Sequence, residues 1–304
     1  MHDIIIVGGG PAGLTAAIYG LRAGKSVLVI EKNGFGGQIA FSPKVENIPG
    51  TFSISGAEFA DKLTEQAMNL GADVELETVI RVENGDIKKV YTEEGSCFEA
   101  GAVILAVGVK HRMLGLSGEE ELVGNGLSFC AVCDGAFYAG QDVAMIGGGN
   151  SALQEALLLS EVCRKVTVVQ NLPFFTGEKK LADALIAKDN VDVFFATVVS
   201  EYLSENGTLT GLRIRSENGH EQVLALDGAF LAVGLVPEND AFASLADLND
   251  WGYFASSEDC TTKTPGIFVA GDCRSKAIRQ VTTAAGDGAV AAMAACRYID
   301  GLVN

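Results

Sequence analysis

Two cysteines separated by two residues, in Cys130-Ala131-Val132-Cys133-Asp134, can close a small disulfide that opens and re-forms without unfolding the chain around it. The pair lies between two glycine-rich turns of nucleotide-binding type, Gly8-Gly9-Gly10-Pro11-Ala12-Gly13 and Gly147-Gly148-Gly149-Asn150-Ser151-Ala152. A dithiol set between two such turns points to flavin-linked disulfide oxidoreductase chemistry. Zinc is a competing use of C-x-x-C, but it needs four N or S ligands. Cys97, Cys163, Cys260, Cys273 and Cys296 are scattered singly, and His2, His111 and His220 show no ligand spacing, so no metal site is expected. An inert buried pair is the other alternative. The isolated cysteines read as small buried hydrophobes.

The elements that must position this chemistry are legible around each turn. Ile4-Ile5-Ile6-Val7 is a buried-strand pattern, the G-x-G-x-x-G of Gly8, Gly10 and Gly13 follows directly, and residues 14–23 continue as a helix. The first glycine permits the sharp turn, the second lets backbone approach a pyrophosphate, and the third packs helix on strand, whose N-terminus then faces the phosphates. Ser26-Val27-Leu28-Val29-Ile30 is the next strand, ending in Glu31, where an acid accepts hydrogen bonds from ribose hydroxyls. The second turn repeats the plan. Asp142-Val143-Ala144-Met145-Ile146 is strand-like, Gly147, Gly149 and Ala152 give G-x-G-x-x-A, residues 151–163 are spaced for a helix, and Lys165-Val166-Thr167-Val168-Val169-Gln170 is the following strand. This second fold either binds a nucleotide or is a retained scaffold. The apolar segments Ala102-Val103-Ile104-Leu105-Ala106-Val107-Gly108 and Ala229-Phe230-Leu231-Ala232-Val233-Gly234 echo one another, as two related folds should.

Composition agrees with α/β architecture. A chain of 304 residues is long enough for two domains, and 48% hydrophobic residues with 37 glycines suit buried parallel strands and tight turns. No apolar run reaches the roughly 18 residues of a membrane span. Met1-His2-Asp3 passes straight into a strand with neither the basic start nor the cleavage site of a signal peptide, so a cytoplasmic protein without membrane attachment is expected. The net charge of −17 argues against nucleic acid as a partner. Lys88-Lys89 and Lys179-Lys180 read as solvated faces.

Taken with further segments, the chain resembles the low-molecular-weight thioredoxin reductases over essentially its whole length. The segments are Gly36-Gly37-Gln38, Val45-Glu46-Asn47-Ile48-Pro49-Gly50, Gly124-Asn125-Gly126-Leu127-Ser128-Phe129 leading into the dithiol, Gly271-Asp272-Cys273, and Arg279-Gln280-Val281 followed by a small-residue helix. The resemblance implies two Rossmann-like three-layer dinucleotide-binding domains, with a discontinuous FAD domain at 1–112 and 244–304 and an inserted NAD(P)-type domain at 113–243 carrying the dithiol. It implies FAD held by Gly8, Gly10, Gly13, Glu31, Gly37, Gln38, Asn47, Gly108, Asp272, Arg279, Gln280 and Val281. It further implies that Cys133 faces the flavin, that Cys130 attacks a thioredoxin-like partner, that Asp134 is the general acid and base, and that the chain is a homodimer.

One departure bears on the electron donor. NADPH-using relatives carry a His-Arg-Arg run and a further Arg after this second strand, whereas the corresponding stretch here is Gln170-Asn171-Leu172-Pro173-Phe174-Phe175-Thr176-Gly177-Glu178, without a cation. Each lost charge-assisted hydrogen bond costs roughly 1.5 to 3 kcal/mol. A donor other than NADPH is expected, with ferredoxin or a similar low-potential carrier favoured. NADH remains an alternative, held at Gly147, Gly149, Asn150, Ser151, Ala152 and Gln170. So do an NADPH-dependent reductase, an oxygen-dependent dithiol oxidase and a non-catalytic redox-sensing flavoprotein.

Overall fold

The computed structural model describes residues 1–41, 45 and 47–301, with the side chains of Phe41 and Cys133 outside the described residues. The chain forms two compact units, Met1–Lys110 with Val236–Asn304, and the contiguous His111–Leu235. The second crossing therefore precedes the expected position at 243. After Gly234 the chain runs directly into β16 (Leu235–Pro237), which pairs with β7 (Val109–His111), and Phe242 beyond it is already buried in the first unit's core.

In the first unit, β1 (His2–Val7), β2 (Val27–Glu31), β3 (Asp73–Leu76), β4 (Val79–Glu83), β5 (Lys88–Thr92) and β6 (Cys97–Leu105) lie in the order β3-β2-β1-β6-β5-β4. β3, β2, β1 and β6 run parallel, β4 and β5 extend the sheet antiparallel, and β17 (Ile267–Val269) pairs in parallel with the second half of β6. Uninterrupted apolar strands fit a sheet covered on both faces. Ile4, Ile6 and Val29 pack with α1 (Pro11–Arg22) and α7 (Val281–Ile299), while Ile5, Val7, Leu28 and Ile30 pack with Val90, Phe242 and Phe254. α1 and α7 approach backbone to backbone: a Cβ on Gly288 would stand 2.1 Å from the Ala12 carbonyl oxygen. Lys88 departs from its expected solvated setting and is only 2% exposed. Its Nζ donates to the Gly85 carbonyl and, at 3.1 Å, to the Tyr298 hydroxyl, partners that a buried ammonium requires.

In the second unit, β8 (Leu127–Ser128), β9 (Asp142–Ile146), β10 (Lys165–Val169), β11 (Val191–Phe194) and β15 (Gly228–Leu231) form a parallel sheet in the order β11-β10-β9-β15-β8. One face, through Val143, Met145, Val166, Val168 and Phe230, buries α5 (Asn150–Val162), α6 (Lys179–Ile186) and Ala131 of the short α4 (Ala131–Asp134). The other packs against the antiparallel β12 (Thr197–Glu205), β13 (Thr208–Ser216) and β14 (Glu221–Ala225). Among the described residues no helix is long and apolar enough to cross a membrane.

Candidate functional site

In the first unit the turn after β1 closes backbone on backbone. Gly8 has φ +110°, and a Cβ on Gly13 would stand 1.9 Å from the Gly8 carbonyl oxygen, so side chains are excluded at both. Gly10 caps α1 without a side-chain bond and the first turn of α1 holds no acid, leaving its amides open to an anion. Glu31 ends β2 with one carboxylate oxygen accepting from the Gly9 N–H at 2.6 Å and the other from the Asn33 N–H at 3.0 Å. The carboxylate is thereby fixed at the turn with lone pairs left for ligand hydroxyls. Gly37 lies over the turn, its would-be Cβ 3.2 Å from the Gly10 Cα, and Gln38 Nε2 donates to the Val109 carbonyl at 3.4 Å. Gly108, with φ +66°, has open space where a Cβ would be.

The C-terminal part of this unit brings further expected residues into one network. Asn47 Nδ2 donates to Gln280 Oε1 at 2.9 Å, and Gln280 forms a capping box with Thr283 that sets Val281 as the first residue of α7. Glu46, in the same expected loop, lies outside the described residues. Arg279 is engaged within the protein: it donates to the Asp272 and Arg274 carbonyls, each at 3.1 Å, and its guanidinium lies 4.0 Å over the Tyr253 ring. Asp272 Oδ1 is buried without a hydrogen-bond partner, with Lys276 Nζ 3.4 Å away at ion-pair distance but out of line for a bond. Burial pushes the Asp272 carboxyl up. An orphaned buried acceptor calls for a donor. Together with the bare helix N-terminus and the closed glycine turn, it fits a hydroxyl- and phosphate-bearing dinucleotide, as FAD is. Sequence reasoning missed Asp287, which accepts from Gly271 N–H at 3.0 Å, Arg274 at 2.6 Å and Lys276 at 3.0 Å and so holds the Asp272 loop.

In the second unit Cys130 is in a disulfide and Cys163 is a free thiol, as are Cys97, Cys260, Cys273 and Cys296 of the first unit. The Cys133 side chain lies outside the described residues. Of the free thiols only Cys97 is exposed, against its expected burial, because it opens β6 at the sheet's end. Burial pushes the Cys163 and Cys260 thiols up to about 11 and Cys273 up to about 12, so they stay protonated and unreactive near neutrality. Around Cys130 the key contact is one that sequence reasoning did not single out. The buried Ser128 hydroxyl accepts from the Cys130 N–H at 3.1 Å and donates to Asp134 Oδ2 at 2.6 Å. It thus ties the expected acid–base residue to the backbone of the expected nucleophile. A second unanticipated contact comes from α5, where Glu155 Oε2 accepts from the Ala131 N–H at 2.9 Å.

Beside this segment is a cavity of about 780 Å³. Gly147, Gly149, Asn150, Ser151 and Gln170 line it, whereas Ala152 turns into the core and does not. His111 stacks on Phe129 in its wall, with ring centroids 4.8 Å apart, and burial pushes the imidazole pKa down. Arg112 is the one lysine or arginine among the described lining residues. Residues 170–178 fold back on the glycine turn. Thr176 and Gly177 N–H groups donate to the Gly148 carbonyl, Glu178 N–H donates to Asn150 Oδ1 at 2.6 Å, and the 3%-exposed Gln170 donates from Nε2 to the Phe174 carbonyl at 3.0 Å. Lys179 pairs with Asp183 at 2.8 Å and, like Lys180, lies outside the lining.

Residues 2–288 match the pyridine nucleotide-disulphide oxidoreductase family. The chain is 40% identical over 303 residues to a thioredoxin reductase of Listeria monocytogenes, covering 99% of this chain and 95% of the relative. It is 38% identical to a thioredoxin reductase of Bacillus subtilis, covering 99% and 96%. Among solved structures, the Lactococcus lactis thioredoxin reductase in its FR conformation superposes with a TM-score of 0.89 at 34% identity, over 99% of this chain and 100% of that one. The T. acidophilum thioredoxin reductase gives 0.86 at 32%, over 99% of each. With two dinucleotide-binding domains and a disulfide at Cys130, which lies between the two glycine turns in sequence, the chain belongs to the pyridine nucleotide-disulphide oxidoreductase family as an FAD-dependent disulfide oxidoreductase of thioredoxin reductase type.

Proposed function

We propose that the protein reduces a thioredoxin-like disulfide through Cys130 and Cys133, and that its electrons do not come from NADPH. The residues of the first unit would hold FAD as described, and FAD once reduced would supply the two electrons that open the Cys130–Cys133 disulfide. The Cys130 thiolate attacks one sulfur of the partner's disulfide, and the other partner sulfur leaves and takes a proton from Asp134. The Cys133 thiol then attacks Cys130 and returns its proton to Asp134, closing the enzyme disulfide, while the second partner sulfur leaves as a thiolate and takes its proton from water, so the partner is released as a dithiol. The Ser128 hydroxyl aligns Asp134 with this segment through its 2.6 Å bond. Thioredoxin reductase relatives, including a bifunctional thioredoxin reductase/thioredoxin of Mycobacterium leprae, support the choice of partner.

The observation that carries the donor reading is the cation-poor cavity. Residues 170–178 offer a 2′-phosphate amides, apolar rings and a carboxylate; the Thr176, Gly177 and Glu178 N–H groups are already engaged with the glycine turn, and Gln170 Nε2 with the Phe174 carbonyl. A low-potential protein carrier such as ferredoxin is favoured. NADH is the second reading, supported by the cavity of about 780 Å³ beside Gly147 and Gly149. Anaerobic reduction of the holoenzyme by NADPH, NADH and reduced ferredoxin in parallel decides between them. Rapid, saturable reduction by micromolar NADPH overturns the proposal; rapid reduction by NADH alone keeps the phosphate argument and discards ferredoxin.

A further inference from the structure

Glu155 has no part in the exchange as written, yet it is built into the dithiol segment. It sits on α5 in the wall of the cavity, and its Oε2 accepts the N–H of Ala131, the residue immediately after Cys130. Ala131 is itself buried against α5. The contact joins the cavity to the backbone that carries the attacking sulfur.

We propose that Glu155 is a positioning residue that couples a proton to the dithiol: it fixes the Ala131 amide and takes up one proton when the Cys130 disulfide is reduced. The proposal rests on the reading of Cys130 and Cys133 as the exchanging pair. Two electrons break the S–S bond and two protons enter. One converts one sulfur to a thiol, leaving the other as thiolate, and the second neutralises the Glu155 carboxylate. Without Glu155 the same two electrons bring in a single proton.

The electrostatics supply the pH window. Burial, opposed only by the Ala131 amide, pushes the Glu155 carboxyl up to about 7 while Cys130 is in its disulfide. The charged and titratable groups on the elements packed around it are Asp134 on α4 and Tyr138 just after it, Asp142 on β9, Lys165 on β10, Lys179, Lys180 and Asp183 on α6, Glu161 on α5, and His111 and Arg112 across the cavity. Asp142, Lys165 and Lys179 are paired with Arg164, Asp192 and Asp183. Among the described residues Glu155 has no ion pair. A thiolate formed next to Ala131 adds a like charge in a poorly solvated setting and raises the Glu155 pKa further. Below about pH 7 the carboxyl is protonated in both redox states and nothing is coupled. Above it, reduction draws in the extra proton.

The test equilibrates wild-type holoenzyme, Glu155→Gln and Glu155→Ala with dithiothreitol redox buffers from about pH 6 to 8.5. Alkylation of Cys130 is read by mass spectrometry. Glutamine keeps an acceptor for the Ala131 N–H but has no proton site. Above pH 7 the wild-type equilibrium constant for reduction should fall a further tenfold per pH unit relative to Glu155→Gln, equivalent to about 30 mV for a two-electron couple, with the profiles merging below pH 7. Parallel wild-type and glutamine profiles overturn the coupling. Glu155→Ala should also slow capture of a thioredoxin as a mixed disulfide, with glutamine restoring it; equal capture rates in the two variants overturn the positioning role. If dithiothreitol exposes no alkylatable Cys130 in the wild type, the dithiol reading fails and this proposal with it.

Discussion

The two glycine turns of this chain share one backbone plan and differ in what surrounds it. Gly8 and Gly147 both have positive φ, +110° and +129°, and a Cβ on either would strike the carbonyl of the neighbouring strand's end, Ala106 at 2.3 Å and Ala232 at 2.4 Å. At the third glycine position the first turn leaves no room for a methyl, whereas the second carries Ala152 in its core. At the end of the second strand, Glu31 receives the Gly9 amide and keeps acceptor capacity. Gln170 is sealed beneath Gly148 and donates to its own loop. The difference teaches that a glycine signature reports a backbone shape, while the strand-end residue and the loop after it report which nucleotide, if any, the shape still serves.

The largest test of that contrast is Gly13→Ala. The added methyl has no space, so we expect loss of FAD and a stability loss of at least about 3 kcal/mol, read by flavin absorbance and urea unfolding. Retained FAD and wild-type stability would show that the first turn is as permissive as the second. Next, Asn171→Arg combined with Leu172→Arg restores cations to the second strand's loop and should tighten NADP⁺ binding by on the order of a hundredfold in calorimetry. Unchanged affinity breaks the claim that this loop sets the phosphate preference. Ser128→Ala removes the bridge between Asp134 and the Cys130 amide and should slow reduction of a thioredoxin about tenfold, the worth of one such bond. The smallest effect is expected from Ala152→Gly, about 1 kcal/mol of helix stability with FAD content unchanged, measured by thermal unfolding.

Much of this was legible in the sequence because it is local. Each strand, turn and helix around Gly8 and Gly147 is contiguous, and apolar runs such as Ile4-Ile5-Ile6-Val7 announce a sheet buried on both faces. The contacts that complete the sites are not contiguous. Glu155 meets Ala131 from another helix, and Asp287 reaches Gly271, Arg274 and Lys276 from within α7, where an acid reads as an ordinary helical surface residue. Ser128 sits in a short strand whose hydroxyl has no distinguishing spacing. Lys88 misled for the same reason: only the folded positions of Gly85 and Tyr298 show that its ammonium has partners indoors.

The interrupted first unit also sets an order of birth. On the ribosome the middle unit, His111–Leu235, is complete while β17 and α7 are still unmade. Until they emerge, β6 carries an open edge at Val103–Leu105 and α1 a bare stripe of small residues, the surfaces on which nascent chains mispair. The segment that carries Cys130 is thus made early, and the sheet that carries the Gly8 turn closes last.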